Sequence, residues 1–118
     1  ILLYPVVSME EKLTHPDTRT NLIGKNPSAD LIKEYSADQQ VSANAPQTFI
    51  VVTEDDPAVP PQNGINYHNA LKKLGVQTEL QSFKVGGHGF GIRDARQLPV
   101  SDWPNRAASW LRAGGYIK

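Results

Sequence analysis

Runs of apolar residues along the chain predict three β-strands. The first, from Ile1 to Tyr4, is apolar throughout and precedes Pro5, a pattern typical of a strand buried on both faces of a parallel sheet. The clearest strand is Thr48–Thr53, which consists mainly of β-branched residues. A third strand is predicted at residues 78–85. The sequence therefore has one strand at its start and two in its second half.

Apolar residues at helical spacing predict a helix after each of the two later strands. The helix at residues 61–74 has Tyr67, Leu71 and Leu74 on one face. The last helix, at residues 103–112, repeats that spacing with its tryptophans, an alanine and a leucine. Strands that alternate with helices in this way define the α/β fold class.

The connection between the first two strands, residues 8–47, is polar and rich in turn-forming residues. Two short helices are predicted inside it, one near residues 18–23 that ends at Gly24 and one that has Ser28 as its N-cap. A connection of about 40 residues is too long to be structureless in a compact domain. We therefore expect it to form a functional excursion or a lid.

The strand, helix and strand at residues 48–85 form a βαβ unit. Such a crossover is right-handed and makes its two strands parallel, so both carboxyl ends emerge at the same edge of the sheet. Asp55 and Asp56 follow the first of these strands, and His88 follows the second. Because α/β proteins bind their ligands at that edge, we expect a carboxylate and an imidazole to lie side by side there.

A carboxylate next to an imidazole is the acid–base half of a site for nucleophilic catalysis. When the carboxylate accepts the Nδ1 proton of His88, it fixes the tautomer and leaves Nε2 free to take a proton from a serine. Gly86, Gly87 and Gly89 allow positive φ values and a close approach of the histidine ring to its neighbours. Asp55 is expected to cap the turn or the N-terminus of the following helix.

Composition and charge exclude several other classes of protein. The 118 residues include 12 basic and 12 acidic side chains in no basic cluster, which argues against nucleic-acid binding. The absence of cysteine rules out disulfides and cysteine-based metal sites. The longest apolar run, residues 1–7, is far shorter than the roughly 20 residues that cross a bilayer, and it lacks the charged start of a signal peptide.

Other candidate residues have simpler interpretations. His15 lies near Glu10, Glu11 and Asp17 without the spacing of metal ligands, so no metal site is predicted. His68 is predicted to be a surface residue of its helix.

Aromatic and basic residues other than the aspartate and His88 could shape a substrate pocket. Trp103 and Trp110 are expected to pack in the core or at its edge. Trp103 has a second interpretation as a sugar-stacking residue, because it follows the loop after His88. Arg19 and Tyr35 could line the pocket from the excursion, and the sequence does not decide this.

Three segments, at residues 53–60, 69–76 and 86–90, resemble the C-terminal half of an α/β-hydrolase. The resemblance is closest to the branch of dienelactone-hydrolase-like and prolyl-oligopeptidase-like esterases that includes acetylxylan esterases. The opening of the chain and residues 14–24 and 103–111 resemble that branch as well. The resemblance implies that residues 1–118 are the C-terminal part of one catalytic domain, with about three strands of a doubly wound parallel sheet and flanking helices.

The resemblance also assigns a catalytic pair. In the family pattern the triad aspartate stands four residues before the proline of a Val-Pro pair, which indicates Asp56 rather than Asp55. The triad histidine is that of the segment Gly-Gly-His-Gly-Phe, which is His88. The nucleophile of the family lies in Gly-x-Ser-x-Gly. None of the seven serines here does: residues 8, 28, 36, 42, 82, 101 and 109.

The absence of Gly-x-Ser-x-Gly leads to predictions about the activity and association of these 118 residues. Ile1 begins where the strand after the nucleophile helix should begin, so the serine is expected about 20–30 residues upstream. The chain alone is expected to be inactive. Its first strand would expose an apolar edge, so we expect self-association or a companion chain that covers it.

The function implied is hydrolysis of carboxylic esters, with a short acyl group such as acetyl on a carbohydrate such as xylan. No metal or organic cofactor is implied. Two alternatives stay open, a serine peptidase of the prolyl-oligopeptidase type and a non-catalytic binding domain of the same fold. The sequence does not favour a flavodoxin-like binding domain, because no phosphate-binding glycine-rich loop follows a strand.

Overall fold

The computed structural model describes residues 1–92 and 97–118. In that part of the chain, the strands are β1 (Leu2–Leu3), β2 (Thr48–Thr53) and β3 (Thr78–Phe83), and the helices are α1 (Pro16–Ile23), α2 (Ala29–Tyr35), α3 (Gln62–Lys73) and α4 (Trp103–Ala113). The three strands are parallel and form one sheet in the order β1, β2, β3. Short 3₁₀ segments precede β2 and α4.

The predicted α/β class and parallel sheet are confirmed, and two strands are shorter than the pattern suggested. The paired residues of β1 are Leu2 and Leu3; the N–H of Tyr4 makes the last hydrogen bond to β2, and the chain then turns away at a φ of 40°. β3 ends at Phe83, opposite Thr53, so both strands of the βαβ unit stop at the same level. This common end places the loops after β2 and β3 next to each other.

The core lies on both faces of β2, which is buried along its whole length. On one face Phe49 and Val51 pack in a cluster with Phe83, Phe90 and Ala107. On the other face α3 lies directly on the strand. A Cβ on Gly64 of α3 would lie 2.5 Å from Val52 and 3.0 Å from Ile50, so only glycine allows this approach. Burial on both faces explains why β2 is a continuous apolar run.

The side chain of Asn63 in α3 forms hydrogen bonds with the backbone at the start of the long connection. This side chain is fully buried, and its Oδ1 accepts the backbone N–H groups of Val7 and Ser8 at 3.1 and 3.0 Å. Its Nδ2 donates to the carbonyls of Leu13 and Pro60 at 2.6 and 3.1 Å. One amide side chain therefore hydrogen-bonds four backbone groups, of which the Pro60 carbonyl also accepts the backbone N–H of Asn63.

The two helices predicted inside the connection are confirmed, and His15 has a structural role there. Its ring Nδ1 accepts the N–H of Thr18 at 3.4 Å and caps α1. Gly24 ends α1 with a φ of 83°, and Ser28 caps α2 as predicted. Arg19 donates to the carbonyl of Met9 at 2.9 Å, which ties α1 to the buried part of the connection.

Within residues 1–92 and 97–118, no helix has both the length and the apolar character needed to cross a membrane.

Candidate active site

The loops after β2 and β3 are joined by backbone and side-chain hydrogen bonds. The N–H of Glu54 donates to the carbonyl of Phe83 at 2.8 Å, which continues the ladder by one step. The hydroxyl of Thr53, which is buried, donates to the carbonyl of Gly87 at 2.6 Å. The carboxyl end of the sheet therefore holds both loops in a defined relative position.

Asp56 and His88 meet between these loops. Oδ2 of Asp56 lies 2.8 Å from Nδ1 of His88, so the contact predicted from the βαβ unit is present. The Asp56 side chain is 2% exposed, and that of His88 is 34% exposed. The second carboxylate oxygen, Oδ1, accepts the N–H groups of Ala58 and Val59 at 2.8 and 2.9 Å. The buried carboxylate is thus fully hydrogen-bonded, while the imidazole stays open on its other side.

Asp55 holds the backbone of the histidine loop. Its Oδ1 accepts the N–H groups of Gly86 and Gly87 at 3.0 and 2.9 Å, across the gap between the loops. The capping role predicted for Asp55 therefore takes a different form, because its partners lie in the second loop and not in its own turn. The hydrogen bond from Gly87, followed by that from Gly86, holds the pKa of Asp55 below its ordinary value.

The lowered pKa of Asp55 gives the loop contact a pH dependence of definite sign. A depressed carboxylate pKa contributes stability above the unfolded-state value, and this stability is lost as the pH falls through the folded-state value. Since Asp55 is exposed to solvent, water screens the contribution.

The glycines beside His88 have two different functions. Gly87 and Gly89 have φ values of 64° and 73°, which side chains rarely adopt. Gly86 is needed for space instead. A Cβ there would lie 2.5 Å from Thr53 and 2.9 Å from Val100. The positive φ expected of this segment is present at Gly87 and Gly89, whereas the expectation was wrong for Gly86, whose close neighbours are Thr53 and Val100.

Tyr4 also belongs to the site, and the sequence analysis did not assign it. Its ring centroid lies 4.6 Å from that of His88 and 4.8 Å from that of Phe90. Tyr4 stands at the end of β1, at the same sheet edge as the other two strand ends. The sequence could have indicated Tyr4 through this position, because residues that follow a strand at this edge are candidate site residues.

Trp103 packs at the edge of the core beside the same loop. Its indole N–H donates to the carbonyl of Gly91 at 2.9 Å, and its ring lies against the cluster around Phe49. The expected packing role is confirmed. The sugar-stacking role stays a prediction, and it would have to use a face of the ring because the N–H is occupied.

His68 differs from its prediction as a surface residue. It is half-buried in α3, and its Nδ1 lies 3.2 Å from the hydroxyl of Thr78 on β3. Burial, and to a lesser degree the charge of Lys72, lowers the pKa of His68. The side chain faces the start of β3, at the opposite end of the strand from the loop that carries His88.

A separate groove of about 630 Å³ lies between β3 and α4. Three charged residues line it, Glu79, Asp102 and Arg106. Asp102 and Arg106 pair with each other at 2.9 Å, and Arg106 also donates to Gln81. Neither Asp56 nor His88 lines it. In the part of the chain that the structure covers, no three His, Cys, Asp or Glu residues are grouped so as to hold a metal ion.

A parallel sheet that carries a hydrogen-bonded aspartate and histidine after neighbouring strands has the architecture of the α/β-hydrolase class, and solved structures of that class match it along the whole chain. A family model described as the prolyl oligopeptidase family matches residues 2–113. The chain therefore belongs to the prolyl oligopeptidase family.

Several esterases are similar to this chain in sequence or structure. An acetylxylan esterase of Xylanibacter ruminicola is 38% identical over 96 residues, which are 78% of this chain and 20% of the relative. A solved acetyl ester-xyloside bifunctional hydrolase from Caldicellulosiruptor lactoaceticus is 35% identical, with a TM-score of 0.93 over 100% of this chain and 43% of its own. A carboxylesterase of Lactobacillus plantarum WCFS1 is 26% identical, with a TM-score of 0.78 over 100% and 45% of the two chains.

Proposed function

We propose that this chain is the acid–base part of a carboxylic-ester hydrolase that uses a Ser-His-Asp triad. The observation that carries the proposal is the 2.8 Å contact between the buried Asp56 carboxylate and Nδ1 of His88. A carboxylate in that position keeps the Nδ1 proton in place and stabilises the imidazolium that forms during the reaction. The family and the esterases among the relatives support the same chemistry.

In the proposed mechanism, His88 transfers one proton in each half of the reaction. Nε2 takes the proton of a serine hydroxyl while the serine oxygen attacks the ester carbonyl carbon. The tetrahedral intermediate collapses, the bond to the alcohol oxygen breaks, and Nε2 returns the proton to that oxygen. Water then attacks the acyl carbon while Nε2 takes one of its protons. The bond to the serine oxygen breaks, Nε2 returns the proton to that oxygen, and the carboxylic acid leaves.

The nucleophile of this mechanism is proposed to come from outside the 118 residues. None of the serines here lies in Gly-x-Ser-x-Gly, and no described group hydrogen-bonds Nε2 of His88. The partly exposed histidine ring leaves room for a serine to approach. We use the term intact enzyme for a protein that joins this chain to a segment with the nucleophile and its oxyanion donors.

The proposed substrate is a short acyl ester, such as an acetyl group, on a carbohydrate such as xylan. The support comes from two similar proteins, an acetylxylan esterase and an acetyl ester-xyloside bifunctional hydrolase. Trp103 is the proposed sugar-stacking residue, since it holds the loop that follows His88 through Gly91.

A second candidate function is hydrolysis of prolyl peptides, which the name of the matching family favours. The same aspartate–histidine pair would serve a peptidase, since the histidine then protonates a leaving amine instead of an alkoxide. Asp56 and His88 therefore do not separate the two functions. Their separation depends on the substrate pocket.

The test is a comparison of substrates on the intact enzyme. We expect hydrolysis of p-nitrophenyl acetate and release of acetate from acetylated xylan, with little cleavage of a prolyl p-nitroanilide. Phenylmethylsulfonyl fluoride should stop the reaction by modifying one serine. Faster cleavage of the prolyl substrate would favour the peptidase, and the absence of any hydrolysis would favour a non-catalytic domain.

The 118-residue chain by itself should have no esterase activity. Without a nucleophile, His88 has no serine to activate, so hydrolysis of p-nitrophenyl acetate should be no faster than with free imidazole at the same concentration. A faster rate that is lost in His88→Ala would contradict this.

We also propose that the first strand needs a partner, since Ile1 is 53% exposed and β1 pairs only with β2 among the described strands. Light scattering of the chain should therefore show association, and a clean stable monomer would argue against it.

A further inference from the structure

Tyr4 has a backbone conformation that its residue type disfavours. Among residues 1–92 and 97–118 it is the one non-glycine residue with a positive φ, at 40°. A side chain in this region crowds the following carbonyl group. Pro5 restricts the same residue further, because a residue before proline favours extended conformations. Strain of this kind persists only where the surrounding structure holds it, and it is concentrated at functional sites.

The surrounding structure holds Tyr4 at both its backbone and its side chain. Its N–H donates to the carbonyl of Val51 on β2 at 2.8 Å, so the backbone is attached to the central strand. Its ring packs against the core cluster and meets Phe90 edge to face, with centroids 4.8 Å apart and an angle of 89°. The strained backbone thus directs a half-buried aromatic ring out of the core and towards the loop after β3.

The ring of Tyr4 supports a part of His88 that the aspartate does not reach. Asp56 holds the imidazole at a single atom, Nδ1, and one hydrogen bond still allows the ring to tilt about that atom. The Tyr4 ring lies 4.6 Å from the imidazole centroid at an interplanar angle of 55° and blocks one side of this motion. An aromatic face at this distance also attracts the imidazolium cation that forms during catalysis.

We propose that Tyr4 is a positioning residue for His88. It keeps Nε2 aimed at the nucleophile, and the strained backbone at position 4 is retained because it places the aromatic ring against the imidazole. This inference rests on the proposed function for its effect on catalysis. The alternative is that Tyr4 only fills space at the edge of the core.

The test compares Tyr4→Phe, Tyr4→Leu and Tyr4→Gly in the intact enzyme. Tyr4→Phe keeps the ring, so kcat for p-nitrophenyl acetate should stay within about twofold of the parent. Tyr4→Leu keeps an apolar side chain but loses the ring face, and kcat should fall by about 10- to 100-fold with KM changed much less. Tyr4→Gly should lower kcat by a similar factor and yet melt no lower than Tyr4→Leu, because glycine adopts positive φ without strain.

A crystal structure of Tyr4→Leu supplies a readout that does not depend on activity. We expect the imidazole of His88 to tilt or to occupy two orientations, with the contact to Asp56 longer than in the parent. An unchanged, single orientation of His88 would overturn the inference, as would a Tyr4→Leu variant with the kcat of the parent. Loss of kcat in Tyr4→Phe equal to that in Tyr4→Leu would also overturn it, since the ring would not be the active element.

His88→Ala separates failure of this inference from failure of the proposed function. If ester hydrolysis persists in His88→Ala, the triad proposal is wrong, and the inference on Tyr4 is then decided by the orientation of His88 in the Tyr4→Leu structure. If His88→Ala abolishes hydrolysis and Tyr4→Leu leaves kcat intact, the triad stands and the role of Tyr4 is wrong.

Discussion

Replacing His88 with alanine should lower kcat for p-nitrophenyl acetate by about 10⁶-fold in the intact enzyme, because the members of a catalytic triad act as a unit. The alanine removes the only group that the site offers, within the described residues, to take the serine proton and deliver it to the leaving alkoxide. KM should change far less than kcat, since the contact between His88 and the substrate develops in the transition state. The measurement is steady-state kinetics together with an active-site titration.

Asp56→Asn tests whether the carboxylate sets the tautomer of His88. The asparagine can still accept the N–H groups of Ala58 and Val59, so the loop should keep its shape. Its amide N–H₂, however, would point at Nδ1 and favour the tautomer with the proton on Nε2, which cannot accept from serine. We expect a loss of about 10⁴-fold in kcat. The double variant should be no slower than His88→Ala alone.

His68→Ala is the matched control for these variants. His68 is the half-buried histidine of α3, and its hydrogen bond goes to Thr78 at the far end of β3. Its replacement should leave kcat within about twofold of the parent, because the distant ring has no part in proton transfer. If His88→Ala kept even a hundredth of the parent activity, or if His68→Ala lost as much as His88→Ala, the assignment of the base would be wrong.

Asn63→Ala should destabilise the protein by about 3–5 kcal/mol, since the N–H groups of Val7 and Ser8 and the carbonyl of Leu13 lose their side-chain partner at once. Each buried group that is left unsatisfied costs about 1–3 kcal/mol, and water entering the space would recover part of the total. The N–H groups of Val7 and Ser8 should be affected most, because both depend on the same oxygen. The measurement is urea unfolding, with the shift in midpoint converted through the common slope.

Asn69→Ala is the control for this change on the same helix. Asn69 is exposed on α3, so its replacement removes an equal number of atoms without removing a buried hydrogen bond. Its stability should stay within about 0.5 kcal/mol of the parent, or rise slightly through the better helix propensity of alanine. Equal losses in the two variants would mean that the buried hydrogen bonds of Asn63 contribute little.

The local sequence pattern was sufficient to predict the parallel sheet and the proximity of the loops after β2 and β3. A strand buried on both faces must be apolar along its whole length, and β2 is such a strand. A βαβ crossover has one hand, which brings the ends of β2 and β3 to one edge. From these two rules follows a contact between an aspartate after β2 and His88 after β3. Which aspartate makes it was decided by the family resemblance, which indicated Asp56.

The tertiary structure alone decided how the neighbours of this pair are used. Asp55 and Asp56 have the same side chain and adjacent positions, yet one binds the backbone of the histidine loop and the other binds the imidazole. The two roles differ only in which partner the folded loops bring within hydrogen-bond distance of each carboxylate. Tyr4 and Asn63 are similar cases, because their partners lie far along the chain.

The physical reason for this division is the range of the interactions involved. Strand burial, helix ends and crossover hand follow from residues close in sequence, so Thr48–Thr53 and the glycine at position 24 could be interpreted directly. A hydrogen bond or a ring contact between distant segments depends on distances of a few tenths of an ångström, which packing of the whole domain sets. The sequence thus determined which groups reach the edge of the sheet, and the folded structure determined which of them touch.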